Sequence, residues 1–190
     1  NYDVLSSGAN VYFRAQNLGT VVEHVESVDG GLTSVARRSQ SGGDVLTLLT
    51  NGKFQGNNAA GGEMKAQAGF GLAPLLHTSQ RDRALVIGYG TGASAHTLHA
   101  AGFAQLDIVE LSADILRLAN NHFLSVNQGV TARPGVQTFV TDGRNFLLLQ
   151  PASYDLISME ISSIWFAGAA NLYNREFYQL AKARLARGGV

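Results

Sequence analysis

Apolar and polar positions change rhythm twice along the chain. From Asn1 to about Asn58, short β-branched or apolar runs at 10–13, 20–22, 32–36 and 45–49 alternate with Gly, Asn and Asp turns. Runs of that length between turn residues predict hairpins. Asp29-Gly30-Gly31 and Asn51-Gly52 are dipeptide signals for turns with positive φ, and 39–43 reads as an exposed loop. Between Glu63 and His77 the spacing becomes helical, with Met64, Gln67, Ala68, Gly71, Leu72 and Leu75 compatible with one face. This helix is expected to join two domains.

From Arg83 onward apolar runs and helical segments alternate. Strands are expected at 84–87, 106–109, 136–140 and 154–159, and helices at 93–101, 113–123, 143–149 and about 175–186. Strict βα alternation implies an α/β domain with a parallel, doubly wound sheet. Ser112 and Asn174 stand where helix N-caps belong, and Gly188 where the last helix should stop. The predicted organisation is a small β-hairpin domain over 1–62 and an α/β domain over 63–190.

Composition narrows the function. The 190 residues are 45% hydrophobic and 15% charged, enough to bury one full domain and a small one. Fourteen basic and fourteen acidic residues cancel, so there is no field to hold a nucleic acid. Without cysteine there is no disulfide framework and no thiolate metal site. The histidines are scattered at 24, 77, 96, 99 and 122; His96 and His99 share a helix face with no third ligand near, so no metal is expected. No apolar run approaches a bilayer span. The chain starts without Met and stops at Arg187-Gly188-Gly189-Val190, a glycine pair followed by what reads as the first residue of a strand. It reads as a piece of something longer, with its C-terminal strands missing.

Candidate chemistry gathers at the strand ends. Gly88-Tyr89-Gly90-Thr91-Gly92 follows an apolar strand and precedes a helix, where small residues let the backbone approach a ligand. The same glycines would also serve a plain tight turn. Glu110, about twenty residues on at the end of the next strand, suits the two hydroxyls of a ribose, or simply a charge at a helix N-terminus. Asp142-Gly143 follows the third strand and could meet an adenine amino group, or only cap a helix. Glu160 ends the fourth. Ile164-Trp165-Phe166 beyond it reads either as a packed lid or as a hydrophobic acceptor pocket.

These stretches, in order, resemble the spermidine synthase (polyamine aminopropyltransferase) family: 84–92, Ile108-Val109-Glu110-Leu111, Thr141-Asp142-Gly143, Tyr154-Asp155-Leu156-Ile157 and 172–178. Thr50-Asn51-Gly52-Lys53-Phe54-Gln55 and Glu63-Met64-Lys65-Ala66-Gln67 resemble its first-domain strand and joining helix. The resemblance implies a fold of the S-adenosylmethionine-dependent methyltransferase (Rossmann-like) type behind a small β-rich domain. It implies decarboxylated S-adenosylmethionine, or S-adenosylmethionine itself, against Gly88, Tyr89, Gly90, Thr91 and Gly92, with Glu110 and Leu111 at the ribose and Asp142 and Gly143 at the adenine. Glu160 would be the base. Glu63, Gln67, Ser162, Ser163 and Tyr173 would face a small-molecule amine acceptor. The family's loop after the fourth strand is Asp-Ser-Ser-Asp-Pro, whereas this chain has Glu160-Ile161-Ser162-Ser163-Ile164, so Ser163 replaces an acid that anchors the polyamine. Thr91 likewise replaces an acid that holds the donor's aminopropyl ammonium.

The resemblance implies aminopropyl transfer, in the cytoplasm. Methyl transfer from S-adenosylmethionine would use the same crevice and tolerate Thr91. A non-catalytic nucleoside-binding or structural domain of a larger, membrane-linked protein, tethered at the inner face of a membrane, is a third expectation. A homodimer is compatible with all three.

Overall fold

The computed structural model describes residues 1–28, 31–61, 63–161 and 169–190. In chain order the elements begin with helices α1 (Tyr2–Ser6) and α2 (Ala9–Tyr12), then strands β1 (Thr20–Ser27), β2 (Gly31–Gln40), β3 (Gly43–Thr50) and β4 (Lys53–Asn57). Helix α3 (Glu63–Leu72) precedes β5 (Arg83–Ile87), α4 (Ala93–Ala100), β6 (Gln105–Glu110), α5 (Ala113–His122) and α6 (Leu124–Asn127). The last are β7 (Val136–Val140), α7 (Gly143–Leu149), β8 (Leu156–Met159) and α8 (Arg175–Ala183). They form two compact units: Asn1–Ala66 with Gly90–Ala93 and Ser112–Gly129, and Gln67–Tyr89 with Ser94–Leu111 and Val130–Val190.

The first unit contains an antiparallel sheet in the order β1-β2-β3-β4. Asn51 (φ 51°) and Gly52 (φ 75°) make the β3–β4 turn, both in the left-handed region that a two-residue hairpin connection requires. A Cβ on Gly52 would stand 2.9 Å from the Cα of Gly8, so glycine is needed there twice over. Asn51 also accepts the Leu32 N–H through Oδ1 at 2.9 Å. Gln40 pairs with Gly43, which shortens the expected 39–43 loop to the two residues between them. Residues 29 and 30 of the other expected turn lie outside the described residues. Helix α5 packs on β2 and β3 with Ile115, Leu118 and Ala119 buried. At its far end Glu23 of β1 accepts from Arg117 at 2.6 Å and meets His122 Nε2 at 2.5 Å.

One expectation fails here: 10–13 is not a strand. Asn1 caps α1 by accepting the Asp3 N–H at 3.0 Å, and Gly8 (φ 76°) starts α2, which ends at Phe13 in the left-handed region. Local caps outweigh the β-branched composition because neither helix is long enough to show a period.

In the second unit β7-β6-β5-β8 form a fully parallel sheet. The innermost strand reads Ala84-Leu85-Val86-Ile87 and is buried throughout, as a strand covered on both faces must be. Leu85, Ile87 and Val109 share a core with Phe146, Leu147, Tyr154, Leu172 and Phe177. The chain steps outward from β5 through β6 to β7, then returns to the other side of β5 with β8. In open sheets of this kind ligands bind at such a reversal, outside the carboxyl ends of the strands, here those of β5 and β8.

The amino ends of the strands carry a different set of polar groups. Buried Asp107 accepts from Arg83 Nε and Nη2 at 3.0 and 2.7 Å and from the Tyr154 hydroxyl at 2.8 Å. Burial, and then the Asp107 carboxylate, push the Tyr154 phenol above its ordinary range. Asp155 accepts the backbone N–H groups of Asp82 and Arg83 at 2.8 and 3.0 Å.

Helix α8 ends at Ala183, earlier than expected. Arg184 and Ala186 bond to Tyr154 instead, with Tyr154 N donating to Arg184 O and Ala186 N to Tyr154 O, both at 2.8 Å. Gly188 (φ 80°) turns the chain, and Val190 pairs with Asp155 and Ile157. Among the described residues no helix is long and apolar enough to cross a membrane.

Candidate functional site

Each strand of the parallel sheet delivers a backbone turn or an acid to the carboxyl end. Gly88 follows β5 with φ 92°, and its N–H donates to Val109 O at 2.8 Å. A Cβ there would make only ordinary contact, 3.5 Å from Ile161 and 3.7 Å from the Cβ of Glu160, so the positive φ is what calls for glycine, and the turn lies against the end of β8. Tyr89 N–H then donates to Glu110 Oε2 at 2.8 Å. Glu110 is only 6% exposed, and this charge-assisted bond fixes its carboxylate against the turn. The Tyr89 ring is wholly buried, and its phenol is pushed up by burial while it bonds Thr131.

Asp142 takes the N-cap of α7, with Oδ1 accepting the Asn145 N–H at 2.8 Å. Gly143 behind it is a packing position: a Cβ would meet Ile87 Cγ2 at 2.5 Å. Glu160 is half-buried at the end of β8, its N–H donating to Ile87 O at 2.9 Å. Its Oε1 is hydrogen-bonded to the hydroxyl of Ser94, which also bonds Gln67 O at 2.6 Å. Tyr173 donates its hydroxyl to the carbonyl of Ile161, next to Glu160, and burial raises its phenol.

The fold of the second unit therefore brings Gly88, Tyr89, Glu110, Asp142, Gly143 and Glu160 to the same end of one sheet. Gln67 is buried in α3, and it is its main-chain carbonyl that reaches Ser94. Leu111 is 70% exposed. Glu63, Gly90, Thr91 and Gly92 fall in the first unit. Glu63 is exposed at the start of α3, Gly90 and Gly92 have φ 53° and 87°, and Thr91 is buried with its carbonyl accepting from Asn127 at 3.3 Å. Ser162, Ser163 and the apolar 164–166 stretch lie outside the described residues. Ser94 was not singled out from the sequence; its one signal is a hydroxyl within the small-residue run Gly92-Ala93-Ser94-Ala95. Among the described residues no three His, Asp or Glu side chains are placed to hold a metal. His96 is held below its ordinary value by burial, then by His99 and Arg133.

Comparison with known proteins gives the following. Residues 69–190 match the spermine/spermidine synthase domain. A polyamine aminopropyltransferase 2 of Pseudomonas aeruginosa is 33% identical over 120 residues, 62% of this chain and 34% of that one. A spermidine synthase of Dictyostelium discoideum is 27% identical over 154 residues, 80% of this chain and 52% of that one. Among solved structures, a spermidine synthase in complex with the transition-state analogue AdoDATO superimposes with a TM-score of 0.74 at 15% identity, over 87% of this chain and 55% of that one. The Thermotoga maritima spermidine synthase gives a TM-score of 0.71 at 16% identity, over 87% and 54%. These last two are likenesses of fold, and the chain spans only part of the length of each of these relatives.

Proposed function

The chain belongs to the spermine/spermidine synthase domain family, and from that premise we propose that it serves aminopropyl transfer from decarboxylated S-adenosylmethionine to a small amine. The observation that carries the proposal is Glu160. A carboxylate stands at the end of β8 beside the side-chain-free Gly88, at the crevice where a nucleoside donor is bound in sheets of this order.

In this reading the donor's ribose lies toward Glu110 and its adenine toward Asp142, whose cap to α7 fixes the direction of the second carboxylate oxygen. The attacking amine's lone pair forms a bond to the methylene next to the sulfonium. The carbon–sulfur bond breaks with its electron pair going to sulfur, which leaves a neutral thioether. The new ammonium gives its proton to Glu160. The sulfonium is already an activated leaving group, so the protein supplies alignment and a base. Ser163 in place of an acid suits an acceptor less cationic than a polyamine.

Calorimetry with decarboxylated S-adenosylmethionine, S-adenosylmethionine and methylthioadenosine, together with transfer assays using diamines, tests the proposal. Tighter binding of the decarboxylated donor and a thioether product support it. Preference for the carboxylated donor replaces it with methyl transfer. Absence of nucleoside binding leaves a non-catalytic domain.

A further inference from the structure

Ser94 lies in the first turn of α4 with its side chain wholly buried. Its hydroxyl is within hydrogen-bond reach of two oxygens, the Gln67 carbonyl at 2.6 Å and Oε1 of Glu160. The two backbones are closely fitted: a Cβ added at Gly71 would stand 3.0 Å from Thr97 and 3.3 Å from Ser94 O. A serine hydroxyl has one proton to give and lone pairs with which to receive. A carbonyl oxygen only accepts, whereas a carboxyl group accepts when ionised and donates when protonated. Both contacts are therefore satisfied together in one state only. When Glu160 carries a proton, it donates to Ser94 and Ser94 donates to Gln67 O. When Glu160 is ionised, the hydroxyl turns about one bond and donates to the carboxylate.

We propose that Ser94 is a positioning residue that follows the proton on Glu160, hydrogen-bonding its carboxyl group both before and after the proton arrives from the amine. This rests on Glu160 being the base of the transfer. A partner able only to donate would favour the ionised carboxylate and weaken it as a base; one able only to accept would hold it protonated and idle. A hydroxyl with a second acceptor behind it keeps a bond to Glu160 in both states, and because both of its contacts are filled only when Glu160 is protonated, it tilts the carboxyl group toward taking the proton up. It also holds the glutamate arm, one methylene longer than the aspartate of the family's loop, in one direction through the proton transfer.

A double-substitution cycle on the full chain tests this: the parent, Ser94→Ala, Glu160→Ala and both together. Each is assayed for transfer from decarboxylated S-adenosylmethionine to 1,3-diaminopropane, 1,4-diaminobutane and 1,5-diaminopentane, and for donor affinity by calorimetry. In Ser94→Ala kcat is expected to fall at least about tenfold, the scale of a misdirected catalytic group. Donor affinity and the donor's KM stay at the parent level. In the Glu160→Ala background the Ser94→Ala substitution has no further effect on rate, because the group through which it acts is gone. An unchanged kcat in Ser94→Ala, multiplicative losses in the cycle, or a loss of donor affinity matching the loss of rate would each overturn the proposal. A parent that binds the donor but transfers to none of the three amines overturns the transfer reading, and this proposal with it. Full activity in Glu160→Ala removes the base assignment and this proposal with it, and that variant distinguishes this outcome from a failure at Ser94 alone.

Discussion

Glu110 holds the backbone N–H of Tyr89 at 2.8 Å, so the acid that ends β6 and the turn that follows β5 are one rigid piece. A substitution at Glu110 therefore acts on the turn as well as on any ligand. Glu110→Gln retains an oxygen for Tyr89 N–H, so the turn keeps a partner while the charge offered to a ligand is lost. Nucleoside affinity is expected to weaken by about 1.5–3 kcal/mol, the range for a hydrogen bond to a charged partner. Calorimetry against methylthioadenosine checks it, and an unchanged affinity removes the ribose assignment.

Asp142 carries two effects that separate by measurement. Asp142→Ala removes the cap on α7 and is expected to cost about 1 kcal/mol of stability in urea denaturation. Asp142→Asn keeps a capping oxygen and so retains that stability, while it changes the partner offered to adenine. If Asp142→Asn binds the nucleoside like the parent and Asp142→Ala differs only in stability, the residue is a cap and nothing more.

Glu160→Gln keeps shape and polarity but cannot take up the proton. Turnover is expected to drop by roughly a hundredfold or more, the contribution of a general base, with donor affinity nearly constant. Glu160→Asp shortens the arm and is expected to retain activity only with an acceptor seated closer to β8. Turnover of Glu160→Gln at the parent rate would show that the carboxylate takes no proton.

Gly143→Ala probes packing alone. A Cβ at 2.5 Å from Ile87 Cγ2 forces α7 and β5 apart, and overpacking of that kind is expected to cost about 1–3 kcal/mol. The urea midpoint reads the loss directly, and a midpoint equal to the parent's would mean that α7 is free to shift.

Glu23 gives a pH dependence of known sign. Its contacts with His122 and then Arg117 hold its carboxyl below the ordinary value of 4.5. A lowered folded value favours the fold above the unfolded value, and that benefit is lost as pH falls through the folded one. The parent is expected to be more stable than Glu23→Gln at pH above 4.5, and the gap to close as the pH drops further. Because both partners are partly exposed, the gap should also shrink in salt.

The sheet of the second unit was legible because a parallel strand covered on both faces reads as an unbroken apolar run, as 84–87 does, and because turn residues bracket it. Strand-end acids were legible by position: once the strands are placed, Glu110, Asp142 and Glu160 follow. Two short helices at the start were not, since five and four residues leave no period to detect and only Asn1 and Gly8 mark them. The end of α8 was misplaced because its stop comes from Tyr154, thirty residues away in sequence, bonding Arg184 and Ala186. Ser94 was invisible for a related reason: a hydroxyl between two helices' backbones is defined by tertiary packing, not by any local pattern.

The anchoring of Asp107 by Arg83 and Tyr154 has a consequence for how the molecule can change over time. Those three side chains secure the amino end of the sheet from within, with no contribution from the turns at the opposite end. The segment after β8 is thereby left with a smaller share in holding the strands together. New acceptors can then be tried by altering the segment after β8 while the foundation stays intact, which is the latitude a departure such as Glu160-Ile161-Ser162-Ser163 needs in order to persist.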